Sequence, residues 1–285
     1  MNYVPESAFK ETIYKKLSEL PDKPKGLYTT GDEHPLSGLK LITIVGSRAC
    51  STYGKEITKK IISDLSGYPV CIISGLALGI DYVTHTSALN NSIPTIAFPG
   101  SGLDQSVIYP ASHKDLAKQI VAAGGLLVSE YEPETKAARW TFPKRNRLMA
   151  GMADLVIVIE AGEKSGTLIT ARLAAEYNTD VAVIPQNIDH LYARGSNKLM
   201  QEGAFPILDY TDILSLLQIH IKEKLSEKNS YTNEHQHIIA NLSEPKTKNE
   251  LYKLSGLTYQ KFIESISILE IESVIKGSNN KIYLL

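Results

Sequence analysis

The chain has 285 residues, 43% hydrophobic, 21% charged and 7% aromatic, a composition that fills an ordinary core and excludes a disordered or coiled-coil chain. Its 30 basic residues face 31 acidic ones, a formal net charge of −1, so affinity for a polyanion must come from a local patch. The longest apolar runs, such as 155–161, fall far short of the roughly 20 residues that cross a bilayer, residues 1–10 lack the apolar core of a signal peptide, and Cys50 and Cys71 cannot make a disulfide framework; the expectation is a cytoplasmic protein without membrane contact.

Residues 1–39 read as a lead-in, with a short helix over 8–19 and the Pro/Gly-punctuated run PDKPKGLYTTGDEHP. From 40 to 217, apolar and β-branched runs at 41–45, 70–74, 95–98, 126–129, 155–160, 181–185 and 205–208 alternate with helical patterns at 54–65, 80–89, 113–123, 145–153, 168–177 and 197–201. Runs that are apolar throughout fit strands covered on both faces. Their alternation with helices predicts an α/β fold, a Rossmann-like doubly wound parallel sheet with right-handed crossovers. The polar stretch 218–232 reads as a linker. Over 233–285, helical stretches at 234–242, 248–254 and 259–270 and the hairpin-like ending VIKGSNNKIYLL spell a small winged helix. Its third helix carries Lys261 beside Glu264 and Glu270, which favours protein contact or a structural role over reading a duplex groove.

Ligands of open parallel sheets bind outside the carboxyl ends of the strands, and the glycines gather there. The first run ends in Gly46-Ser47-Arg48, the second in Ser74-Gly75, the third in PGSGLD, and the fifth in EAGEKSGT, which contains Lys164, Ser165, Gly166 and Thr167 and leads straight into a helix. Glycine lets backbone approach a ligand, and the free amides of a helix's first turn face an anion. One such loop reads as a tight turn; four at one sheet edge, with Arg48 and Lys164 among them, read as a phosphate site. No GxxxxGK[ST], GxGxxG, zinc spacing or catalytic triad is present, so no catalytic residue, metal or cofactor is predicted. His85, four residues after Asp81, fits a structural hydrogen bond better than a catalytic pair.

The six arginines are the scarcer cation, and Arg139, Arg145 and Arg147 fall within nine residues. They interleave with Trp140, Phe142, Lys144 and Asn146, the pattern by which cations follow a single strand's backbone while rings stack on its bases. The competing readings are a ring that plugs the core and an Arg145 or Arg147 paired with Glu130 or Glu160.

In this order, VGSR, SGLALGID, PTIAFPGSGLD, GLLVSEY, FPKRNRLMAG, VIVIEAGEKSGTLITARLA and GSNKLMQEGA resemble the DprA/Smf family of bacterial DNA processing, over about residues 20–215. The resemblance implies an extended Rossmann fold that binds single-stranded DNA, forms homodimers and loads RecA recombinase onto strands, including those coated with single-strand-binding protein, during natural transformation. By matching motif it implies Ser47, Arg48, Arg139, Phe142, Lys144, Arg145, Asn146, Lys164, Ser165, Gly166 and Thr167 as the pocket. Pro185-Gln186 departs from the family's Pro-Gly, and forty leading residues are too few for the helical-hairpin domain of some relatives.

Two other readings stay open. One is a nucleotide-derivative hydrolase of the phosphoribohydrolase type, although Thr170 stands where that family's glutamate would be. The other is a nucleotide sensor with a winged-helix output. Leu199, Phe205, Ile207, Leu208, Ile213 and Leu216 read equally as a dimer surface or as core.

Overall fold

The computed structural model describes residues 1–190, 193–220, 233–242, 244–271, 274–278 and 281–284. The chain divides into two compact units, Met1–His220 and Ile221–Leu285. In the first, the order is β1 (Asn2–Pro5), β2 (Gly26–Gly31), β3 (Lys40–Val45), α1 (Thr52–Asp64), β4 (Val70–Ser74), α2 (Ile80–Asn90), β5 (Thr95–Ala97), α3 (Lys114–Ala122), β6 (Leu126–Ser129), α4 (Thr141–Met152), β7 (Leu155–Val158), α5 (Thr167–Glu176), β8 (Asp180–Val183), α6 (Ala193–Gln201), β9 (Phe205–Pro206) and α7 (Tyr210–Leu216).

Among the described residues nine strands form one sheet in the order β1-β2-β6-β5-β4-β3-β7-β8-β9. From β6 to β9 all neighbours are parallel. The central strands, β3 to β8, are buried on both faces and their side chains alternate between two cores. Leu41, Cys71, Ile73, Val156, Val158 and Val183 pack on one side. Ile42, Ile44, Ile72, Leu155, Ile157 and Ala182 pack on the other. This period of two inside unbroken apolar runs is what a sheet covered on both faces requires. The α/β, Rossmann-like expectation is the observed fold. After β3 the chain builds outward through β4, β5 and β6, then returns to place β7 on the other side of β3. That reversal opens a crevice at the carboxyl ends of β3 and β7.

The first 39 residues differ from the expected lead-in. β1 and β2 extend the sheet antiparallel beyond β6, with Thr29 opposite Val128 and Leu127 opposite Thr30. The helix expected over 8–19 is instead two 3-10 turns, Glu6–Glu11 and Lys15–Glu19. Thr12 breaks it: its hydroxyl donates to the Phe9 carbonyl at 3.0 Å and accepts from the Tyr14 amide at 3.2 Å, offering the backbone a turn in place of helical bonds. Phe9, Tyr14 and Leu17 are still fully buried.

In the second unit, α8 (Asn233–Ala240), β10 (Lys246–Thr247), α9 (Lys248–Ser255), α10 (Tyr259–Ile271), β11 (Ile275–Ser278) and β12 (Lys281–Leu284) follow one another. The strands pair antiparallel in the order β10-β12-β11. Ile238, Leu251, Phe262, Leu269 and Ile282 form a core of their own. The expected linker lies outside the described residues from 221 to 232, as do Asn279 and Asn280 of the expected GSNN turn. Among the described residues no helix is long and apolar enough to cross a membrane.

Candidate functional site

The crevice between β3 and β7 is a cleft of about 460 Å³. Three of the segments that wall it carry residues expected from the sequence. The turn after β3 supplies Gly46, Ser47 and Arg48; the first two turns of α4 supply Phe142, Arg145 and Asn146; and the turn before α5 supplies Ser165, Gly166 and Thr167.

Each wall is braced. The turn after β3 leads into α1, whose cap Ser51 accepts from the Gly54 amide at 2.9 Å. Fully buried Glu160, just past β7, accepts from both the amide and the hydroxyl of Ser51, so the ends of the two strands are tied together. Gly79, with φ +76, lies so close to the Ser47–Arg48 backbone that a side chain there would collide with it. The start of α4 is pinned by the Thr141 hydroxyl, which donates to the Gly100 carbonyl at 2.6 Å. A Cβ at Gly100 would come within 2.5 Å of the Phe142 ring, so glycine is what lets that ring seat. Asn146 reaches across the cleft floor, its amide nitrogen donating to the Gly166 carbonyl at 3.4 Å.

Within this frame Arg48 is exposed, and its guanidinium carbon lies 4.9 Å from the centre of the Phe142 ring. No carboxylate pairs with it among the described residues. The amides of Ser47, Arg48 and Gly166 have no backbone or side-chain acceptor among the described residues, which leaves donors for an anion beside an unpaired cation. The Ser165 hydroxyl accepts from the Thr167 amide at 3.2 Å, within the turn that leads into α5.

Five of the fourteen expected site residues lie elsewhere. Ser74 is fully buried and spends its hydroxyl on the Ile44 carbonyl at 2.7 Å. Gly75 gives its amide to Asp81 at 3.1 Å and its carbonyl to Arg145. Arg139 and Lys164 are exposed outside the cleft. Lys144 points to the other side of α4, 3.6 Å from Glu130, into a larger cavity of about 740 Å³. Most cations there are already paired: Arg147 with Glu130 and Asp22, and Lys23 with Glu6. Of these two cavities, the smaller offers a guanidinium without a carboxylate partner among the described residues.

Arg145 lines the cleft but is only 4% exposed. Its guanidinium donates to the carbonyls of Gly75 and Phe98 and to the Asn146 side chain, so its hydrogen-bonding capacity holds the ends of β4 and β5 together. Burial pulls it down to about 10, with Asp81 opposing, and it remains charged at neutral pH. Asp81 lines the cleft too, accepting from the Gly75 and Ala77 amides; burial raises its carboxyl, against the pull of Arg145 and those amides. His85 does not meet Asp81: its Nδ1 lies 2.8 Å from the Thr95 hydroxyl. Sequence reasoning missed Asp81 as a cleft residue, although SGLALGID places it in the first turn of a helix after a strand-end glycine loop.

The profile of the family described as DNA recombination-mediator protein A matches residues 7–218. The chain belongs to that family. The Smf protein of Synechocystis is 42% identical over 204 residues, 70% of this chain and 50% of that protein. The DNA processing protein DprA of Bacillus subtilis is 37% identical over 213 residues, 75% of this chain and 68% of that protein. The chain thus spans half to two-thirds of these relatives' lengths. Among solved structures, DNA processing protein A of Streptococcus pneumoniae superposes with a TM-score of 0.66 at 39% identity, over 70% of this chain and 69% of that one. DNA processing protein A of Helicobacter pylori, whose single-stranded DNA binding mode is described as unique, superposes with a TM-score of 0.65 at 33% identity, over 72% of this chain and 92% of that one.

Proposed function

We propose that the protein is a single-stranded DNA binder that mediates recombination without itself being an enzyme. The observation that carries this reading is the unpaired Arg48 guanidinium lying against the Phe142 ring at the mouth of a cleft with free backbone amides. A cation and amides take a phosphate while the adjacent ring takes a base, and that combination suits unpaired polynucleotide of any sequence. The single-strand binding of the Helicobacter pylori relative supports it. Against hydrolysis, Asp81 is occupied by amides and Arg145, and Thr170 lines the cleft where the related hydrolases carry a glutamate.

In this proposal the protein acts in the cytoplasm as a homodimer, protects single strands that enter during natural transformation, and loads RecA onto them, including strands coated with single-strand-binding protein. The second unit is read as a winged helix used for protein contact: Lys261 of α10 is held by Glu234 of α8 at 2.6 Å, which takes its charge from any phosphate. Arg139 and Lys164, exposed beside the cleft, are proposed as outlying phosphate contacts.

Fluorescence anisotropy with oligo(dT), duplex and a mononucleotide at two salt concentrations tests the reading. Single strands should bind best, and Arg48→Ala should weaken them and lower the salt slope by about 0.7, the share of one phosphate. An Arg48→Ala protein that binds oligo(dT) like the wild type with the same slope would remove the cleft from the account.

A further inference from the structure

Beside the cleft, the segment 75–79 holds one side-chain-bearing residue in a conformation that such residues avoid. Leu76 has φ +57. Its carbonyl accepts from His113 Nδ1 at 2.8 Å, and Asp81 accepts from the amides on either side, those of Gly75 and Ala77. Strain kept in place by so many bonds points to a segment whose outward face is used. That face presents Leu78, 50% exposed, next to Tyr109, 48% exposed. Both line a crevice of about 20 Å³ together with Arg48 and Phe142. The crevice has room for about one water, so no base enters it. The Tyr109 ring sits 5.8 Å from the Phe142 ring, tilted by 59°, and is half open to solvent. Leu78 and Tyr109 line the same crevice as the Arg48–Phe142 pair, so the open ring face of Tyr109 continues that pair.

We propose that Tyr109 and Leu78 are a second base-stacking surface. A strand with a phosphate between Arg48 and the 165–167 turn continues past Phe142 and lays its next base on the outer face of Tyr109, with Leu78 against the base edge. Because the rings are tilted, each takes a different nucleotide, and stacking on either is indifferent to base identity. This inference rests on the single-strand reading above.

The test uses the full chain and two labelled strands of equal length, oligo(dT) and an abasic oligomer, in anisotropy titrations. Tyr109→Ala should weaken oligo(dT) about tenfold, the loss of one stacked base, and leave the abasic strand unchanged. Tyr109→Phe should bind oligo(dT) within about twofold of the wild type, since the ring face is kept. Arg48→Ala should weaken both strands. Tyr109→Ala binding oligo(dT) like the wild type, or losing equally on both strands, overturns the second stacking surface and leaves the single-strand reading intact. A wild-type protein that binds neither strand overturns both.

Discussion

Arg48, Arg145 and Arg147 carry the same side chain and meet three different fates. Arg48, on a turn, keeps its donors free and rests on a ring. Arg147 is spent on Glu130, with both carboxylate oxygens within 2.6 Å of Nη2. Arg145 is buried among carbonyls with Asp81 near. A planar fork that stays charged when buried holds several acceptors in a fixed geometry, whereas a buried lysine is a point charge that loses its proton more readily. Arg145→Met should therefore cost about 1–3 kcal/mol, because it leaves the buried Gly75 and Phe98 carbonyls without their donor, and Asp81→Asn in the same chain should recover the part that comes from losing a positive charge near Asp81. Urea denaturation of the single and double variants measures it; a single variant as stable as the wild type would make Arg145 a free phosphate ligand after all.

Helix α4 sorts the basic segment by its period. Phe142, Arg145, Asn146 and Met149 lie three or four apart and face the cleft; Lys144 and Arg147 face the other cavity. Starting the helix at 145 hides this partition, because Phe142 and Lys144 then have no helical face. The true start at Thr141 puts Pro143 in the first turn, where its missing amide costs nothing. Another signal was present but unread: Asp209 and Asp212 form a capping box that opens α7. Between elements, His85 ties α2 to β5 through Thr95, with Nε2 buried and unpartnered. Burial, then the charges of His113 and Arg145, push it down to about 3 from the usual 6.5. Between those values the unfolded chain binds a proton that the native one refuses. Stability is thus complete above about pH 6.5 and falls with acidification by up to about 1.4 kcal/mol per pH unit. His85→Asn should flatten the fall in melting temperature from pH 7 to pH 4; an unchanged slope would assign the acid sensitivity to other groups.

At the scale of the molecule, the cleft is built wholly within Met1–His220. A fragment ending at His220 should hold oligo(dT) within about threefold of the full chain, a difference of ~0.7 kcal/mol, by anisotropy. A larger loss would give the second unit a share of the strand. The parallel sheet and the glycine turns at its carboxyl edge were legible from the chain alone, since unbroken apolar runs and strand–turn–helix order are local patterns. The place of residues 1–39 was not: Leu27, Tyr28, Thr29 and Thr30 are strand formers between two glycines, but so short a run does not say that β6 offers its edge. Nor was the choice among cations. Sequence by itself determined that glycine turns gather at the carboxyl edge of a parallel sheet, because strand–turn–helix order is a local pattern and its handedness is fixed. Only the tertiary structure decided which guanidinium stays free, because that depends on which carboxylates and carbonyls the packed elements bring within reach.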